Sequence, residues 1–228
     1  TAHVRGLPLS RRGSGETSEM TGWGVYRGLK ACAKEVWGHD SLSGKRIAFQ
    51  GFGHTATFLT RHLLEREEGV RLIVTDLNEE ATSRAREWAG AEIVSPDDIY
   101  DAECDIFAPS ALGSVLNGET IPRLRCRIVC GSANNQLLNE EDAEALQRRG
   151  ILYAPDYIVN AGGVINISFE VDGGYDERAA TEKTGRIYET MEQVIAMSKR
   201  QGITTAAAAD RLPNERIERV RKDQDTQR

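Results

Sequence analysis

At 228 residues, with 39% hydrophobic and 28% charged side chains, the chain has the composition of a globular protein: one large domain, or one domain with a helical appendage. Its formal net charge of -6 leaves no electrostatic footprint for nucleic acid or an anionic membrane surface, and no apolar run approaches the ~20 residues that span a bilayer. Cys32, Cys104, Cys126 and Cys130 lack CxxC spacing and histidine partners, so they read as reduced thiols of a cytoplasmic protein, with no metal site.

Residues 1–20, rich in Gly, Ser, Arg and Pro without periodicity, read as a linker. The apolar spacing of Val25, Leu29, Cys32, Ala33 and Val36 predicts a helix over 21–36, broken at Gly38-His39-Asp40-Ser41. A strand, Arg46-Ile47-Ala48-Phe49-Gln50, then runs into Gly51-Phe52-Gly53-His54-Thr55-Ala56, a G-x-G-x-x-A turn that opens an amphipathic helix. A second strand over 70–75 ends on Asp76, and Asn78 is placed to cap a helix through about Ala89. Further strands are expected over 91–94, 104–109, 127–131 and 151–155, with a helical turn from 95–98 and a helix near 139–149. This alternation predicts an α/β fold: a Rossmann-type, doubly wound, mainly parallel sheet. Extra C-terminal helices follow. One starts near Asn160, Gly173-Gly174 breaks the pattern, a long helix covers about 176–201, and two short ones lie near 205–211 and 214–221. The expected units are a linker (1–20), a dinucleotide-binding domain (21–170), a helical segment packing back on it or on a missing partner (171–221), and a charged tail (222–228).

Each part of the β-turn-α-β unit has a physical job. Gly51 permits the tight turn, Gly53 lets a pyrophosphate approach the backbone, and Ala56 lets the helix pack close to the sheet. Free N–H groups and the helix dipole hold phosphate without a basic side chain. His54 and Thr55 belong to this cofactor-binding loop, the His54 side chain facing solvent without a catalytic role. Asp76, 25 residues after Gly51, is placed to bind the adenosine ribose hydroxyls. A carboxylate there repels a 2′-phosphate and favours NAD over NADP. Three segments of small and amide residues also fall at strand ends: 109–113, 131–135 and 155–164. In a doubly wound sheet this edge is the ligand crevice, and Asn offers a donor and an acceptor together.

The runs Thr21-Gly22-Trp23-Gly24-Val25-Tyr26, Gly51 to Ala56, Val74-Thr75-Asp76, Cys104 to Pro109, Gly131 to Leu137 and Tyr153 to Asn166 together resemble the C-terminal half of the amino-acid dehydrogenase superfamily, on the leucine, valine and phenylalanine side of it. The resemblance implies oxidative deamination: hydride passes from the Cα of an apolar L-amino acid to NAD+, and water releases the 2-oxo acid and ammonia. It places Gly51, Gly53 and Ala56 on the pyrophosphate and Asp76 on the ribose. Thr21, Ala111, Asn134 and Asn160 join the cofactor set, and Asn135, Val164 and Ile167 line the substrate pocket, with Asn134 and Asn135 close to interchangeable.

The resemblance also implies two lysines and an aspartate in an N-terminal half. None of Lys30, Lys34, Lys45, Lys183, Lys199 and Lys222 lies in a Gly-rich catalytic setting, and Lys30 reads as a surface residue of an amphipathic helix. No catalytic residue is therefore assigned within the chain. The expectation is an NAD-binding half, inactive alone, whose N-terminal catalytic domain or partner chain is missing, by fragmentation or a split gene. The alternative is a catalytically silent NAD-binding sensor or regulatory module. The helix over 176–201 is expected to carry an uncovered apolar face, and a homo-oligomer is a possible outcome.

Overall fold

The computed structural model describes residues 13–170 and 175–226. Six strands form one sheet, all neighbours parallel, in the order β3-β2-β1-β4-β5-β6: β1 Arg46–Gln50, β2 Arg71–Thr75, β3 Glu92–Ile93, β4 Ile106–Pro109, β5 Ile128–Val129 and β6 Leu152–Tyr153. Strand order reverses between β1 and β4, so the crevice of a doubly wound sheet opens there, at the carboxyl edge. Ile47, Ala48 and Phe49 of β1 and Ile106, Phe107 and Ala108 of β4 are fully buried, as expected of strands covered on both faces.

Nine α-helices lie among the described residues, α1 (Thr17–Trp37), α2 (His54–Arg66), α3 (Glu79–Ala89), α4 (Glu140–Arg148), α5 (Asp156–Val159), α6 (Gly162–Ser168), α7 (Glu177–Gly185), α8 (Ile187–Gln201) and α9 (Thr205–Thr226), with short 3-10 turns at Asp98–Asp101, three residues beyond the start expected for a helical turn, and at Ile121–Arg123. One helix, α1, organises the layer on its side. It packs on α2, on α6 and on α8, and it sits so close to α6 that a Cβ on Gly162 would collide with the Met20 carbonyl. It begins at Thr17, four residues inside the expected linker, because the Glu16 side chain accepts the Ser18 N–H and caps it. Asn78 caps α3 by accepting from Glu80 N, as its position suggested. All four cysteines are free, three of them buried.

The C-terminal helices differ from the sequence reading. The expected single helix is two, parted at Arg186, where Gly185 weakens the helix and its carbonyl accepts from Arg27 Nε at 3.1 Å. The apolar face of α8 is covered: Ile187, Met191, Val194, Ile195 and Met197 are all buried, and α8 packs on α1 and α9. Lys34–Glu192 and Lys199–Glu35, each at 2.8 Å, flank that seam. The two last helices are one, because Pro213 removes a single intrahelical bond without ending it; the expected tail is helical through Thr226. The Gly173-Gly174 break and residues 1–12 of the linker lie outside the described residues. Among the described residues no helix is long and apolar enough to cross a membrane.

At the opposite, amino edge of the sheet, Glu67 ties α1, the loop before β1 and the end of α2 together. Its side chain is 3% exposed; Oε1 accepts from Tyr26 Oη and Lys30 Nζ, both at 2.9 Å, and Oε2 from Leu42 N at 2.9 Å and the Ser41 and Ser43 hydroxyls at 3.2 Å. Lys30 is therefore a largely covered partner of the buried Glu67, part of the scaffold and not a free surface lysine. Burial works against the charged carboxyl, but the bonds from Lys30, Leu42 and Tyr26 prevail and hold its pKa below the usual range. Glu67→Ala is expected to cost about 3–5 kcal/mol of unfolding free energy at neutral pH, read by urea denaturation. A depressed folded pKa stabilises fully above the ordinary glutamate value of 4.5 and is lost as pH falls through the lowered value. The gap between wild type and variant should therefore close in acid.

Candidate cofactor site

The carboxyl edge gathers the sequence-predicted residues in two groups, one on each side of the β1–β4 switch. On the first side, Gly51 leaves β1 at φ +97°, donates to Thr75 O at 2.8 Å, and lies against Ala111; an added Cβ would stand 2.5 Å from the Ala111 Cβ. Gly53 is different. Its φ of -75° suits any residue, and a Cβ there would meet nothing within 4 Å. The space in front of Gly53 is open, and Gly53 caps α2 with no side-chain bond and no acidic residue in the first turn. The first N–H groups of a helix have no intrahelical acceptor, so this helix start presents donors and the positive dipole end outward.

Asp76 stands half-buried at the end of β2. Its Oδ2 accepts from Phe52 N at 2.7 Å and its Oδ1 from Asn78 N at 2.8 Å, so the carboxylate pins the turn after β1 to the start of α3. Arg84, from α3, donates to Phe52 O at 3.0 Å and so holds the same residue from its other backbone group. No motif in the sequence singles out Arg84. The only available signal was helical spacing, which puts Arg84 one turn from the buried Ala81 and beside Ala85. His54 is exposed, its Nδ1 3.8 Å from Glu16 Oε2; Thr55 is half-buried and Ala56 buried.

On the other side, Asn134 and Asn160 come from different loops and meet: Asn160 Nδ2 donates to Asn134 Oδ1 at 2.7 Å. The Asn134 Nδ2 and Asn160 Oδ1 ends are left without a bond among the described residues. Asn135 does not pair in the same way. It adopts φ +51°, and its backbone does the bonding: N–H to Asp156 Oδ2 at 2.7 Å, and C=O from Ser114 N at 2.6 Å. Thr21 donates its hydroxyl back to Thr17 O, and its Oγ1 lies where a Cβ on Gly163 would be 2.8 Å away, so α1 and the start of α6 meet at this edge. Val164 and Ile167, three apart on α6, share a helix face; Val164 is 74% exposed and Ile167 half-buried.

The sequence profile of the Glutamate/Leucine/Phenylalanine/Valine dehydrogenase family matches residues 71–224. The chain belongs to that family. Among the family's members, it is 51% identical to leucine dehydrogenase of Thermoactinomyces intermedius over 226 residues, 99% of this chain and 61% of the relative. It is 38% identical to phenylalanine dehydrogenase of Caldalkalibacillus thermarum, over 96% of this chain and 60% of the relative. Among solved structures, L-tryptophan dehydrogenase from Nostoc punctiforme superposes with a TM-score of 0.85 at 42% identity, covering 89% of this chain and 61% of that one. The chain thus spans about 60% of the length of the curated relatives it matches.

Within this family scaffold the Gly51–Ala111 contact joins the two sides with no room for a Cβ on Gly51. Gly51→Ala adds both a left-handed strain and a clash, and is expected to destabilise the fold by roughly 1–3 kcal/mol in chemical denaturation. Gly53→Ala, with open space and an ordinary φ, should change stability by less than about 0.5 kcal/mol.

Proposed function

We propose that the chain is the NAD-binding half of an L-amino-acid dehydrogenase acting on an apolar amino acid. The observation that carries this reading is the Asp76 carboxylate standing beside an uncapped, glycine-entered helix start at the strand-order switch. The residues present fit the cofactor. Open space over Gly53 accommodates a diphosphate, and the α2 N-terminus, free of acidic side chains, offers it N–H donors. Asp76 would add the ribose hydroxyls to its two backbone partners, and its charge disfavours a 2′-phosphate.

The Asn134–Asn160 pair, with a free donor at one end and a free acceptor at the other, suits a carboxamide. It would orient the nicotinamide, with Thr21 and Ala111 beside it. NAD+, when bound, would accept the hydride from the amino acid Cα, and water then releases the 2-oxo acid and ammonia. Val164 and Ile167, with the neighbouring Asn135, would face the substrate side chain, and an apolar pair there excludes a charged one. The relatives named for leucine, phenylalanine and tryptophan point the same way.

The catalytic lysines and aspartate would come from outside these 228 residues. The half carrying them, in the same chain or a partner chain, would close over the exposed Val164 and exclude water from the transfer. Pairing Lys30 with Glu67 at the far edge removes it as a substitute base.

Calorimetric titration with NAD+ and NADP+ tests the reading. Wild type is expected to bind NAD+ at micromolar concentration and NADP+ more weakly. Asp76→Ala should weaken NAD+ by roughly 10- to 100-fold, the value of hydrogen bonds to a charged acceptor, and narrow the gap to NADP+. A folded protein that binds neither nucleotide would sink the proposal.

A further inference from the structure

We infer that Asp156 is a positioning residue for the nicotinamide end of the cofactor site: from beneath the carboxyl edge it holds both loops of the Asn134–Asn160 pair at once. The inference rests on the cofactor reading above. Asp156 opens α5, directly after β6, and is 8% exposed. Its Oδ2 accepts from Asn135 N at 2.7 Å, and its own backbone carbonyl accepts from Asn160 N at 2.8 Å. Its side chain therefore grips the chain next to Asn134, and the helical turn that it opens closes on Asn160 through the ordinary backbone bond. The two amides then meet at 2.7 Å above it.

The grip has something to resist. Asn135 sits at φ +51°, a left-handed conformation that a non-glycine residue leaves unless its surroundings hold it. Asp156 supplies that hold on the N–H side. On the other side the Asn135 carbonyl accepts from Ser114 N at 2.6 Å, and Ser114 is itself left-handed at φ +60°. The chain of bonds thus runs from the loop after β6, through the loop after β5, to the loop after β4 that carries Ala111.

The carboxylate itself is fixed by a second donor, Tyr153 Oη at 2.9 Å on Oδ1. Burial, reinforced by the adjacent Asp156 charge, pushes the Tyr153 hydroxyl pKa up, so it remains a proton donor throughout the neutral range. No lysine, arginine or histidine pairs with Asp156 among the described residues. The carboxylate is held by two neutral donors, Asn135 N and Tyr153 Oη, so what it fixes here is the position of the loop after β5.

The test compares NAD+ with ADP-ribose, which lacks the nicotinamide ring, by calorimetry on the full chain. Wild type is expected to bind NAD+ more tightly than ADP-ribose. Asp156→Ala should lose about tenfold in NAD+ affinity, one decade on the free-energy scale, while ADP-ribose affinity stays within about twofold. Asp156→Asn should recover most of the loss, since its Oδ1 can accept from Asn135 N while its amide donates to Tyr153 Oη. Tyr153→Phe, which removes one donor and leaves the carboxylate, gives an intermediate loss and stands in if the alanine variant fails to fold.

An unchanged NAD+ to ADP-ribose ratio in Asp156→Ala overturns the inference, as does equal loss of both ligands, which marks a merely structural residue. Equal affinity of wild type for the two ligands removes the nicotinamide end while leaving the Asp76 side standing. Binding of neither by folded wild type brings down the cofactor reading, and this inference with it.

Discussion

Backbone-to-backbone contact between the loops at the carboxyl edge is the constraint on which the rest of this structure depends. β5 and β6 are only two residues long, so the ladder alone fixes their ends weakly. The loops beyond them lock instead. Gly131 lies against Pro109, where any Cβ would collide with the proline backbone, and Gly113 lies against the Asn134 and Asn135 carbonyls, 2.6 and 2.7 Å from where its Cβ would be. With Gly51 pressed on Ala111, the ends of β1, β4 and β5 form one continuous backbone surface. A side chain at these joints would separate the loops and scatter the polar groups they carry.

That surface divides by chemistry. Toward β2 lie the open helix start of α2 and the Asp76 carboxylate, a place for phosphate and for hydroxyl donors. Toward β6 lie neutral amides and hydroxyls, Asn134, Asn160 and Thr21, followed by the apolar Val164 and Ile167. On the proposed reading, one side would take the diphosphate and the adenosine ribose, and the other the planar nicotinamide ring and its carboxamide, with an apolar substrate beyond. The opposite edge carries the Glu67 knot, which anchors α1 without entering the chemistry. Because α1 touches α2, α6 and α8, that knot and the carboxyl edge are joined through a single helix.

The turn from Gly51 to Ala56, its flanking strand and helix, and Asp76 were legible in the sequence because their geometry is local: one glycine for the turn, one helix start, one acid at a strand end. The parallel sheet followed from the alternation of elements. What escaped depends on neighbours distant in the chain. The cover over α8 comes from α1, some 160 residues earlier as the Lys34–Glu192 and Lys199–Glu35 pairs span it. The break at Arg186 answers Arg27, and the pairing of Lys30 needs Glu67. Asn135 was read by its side chain, whereas its contribution lies in its backbone conformation, which no residue type announces. Asp156 was read only as part of the 155–164 segment at a strand end: its partner Asn135, 21 residues earlier, comes beside it only when β5 and β6 pair.

Backbone amide NMR of the full chain during titration with NAD+ tests the division of the carboxyl edge most directly. The account predicts shifts confined to that edge: Gly53 to Thr57 and the neighbours of Asp76 on one side, and Ala111, Asn134, Asn135 and Asn160 to Gly163 on the other, the second group silent with ADP-ribose. Shifts centred elsewhere, such as the cavity between Trp23, His62 and Tyr175, with the strand-end loops unmoved, would contradict it.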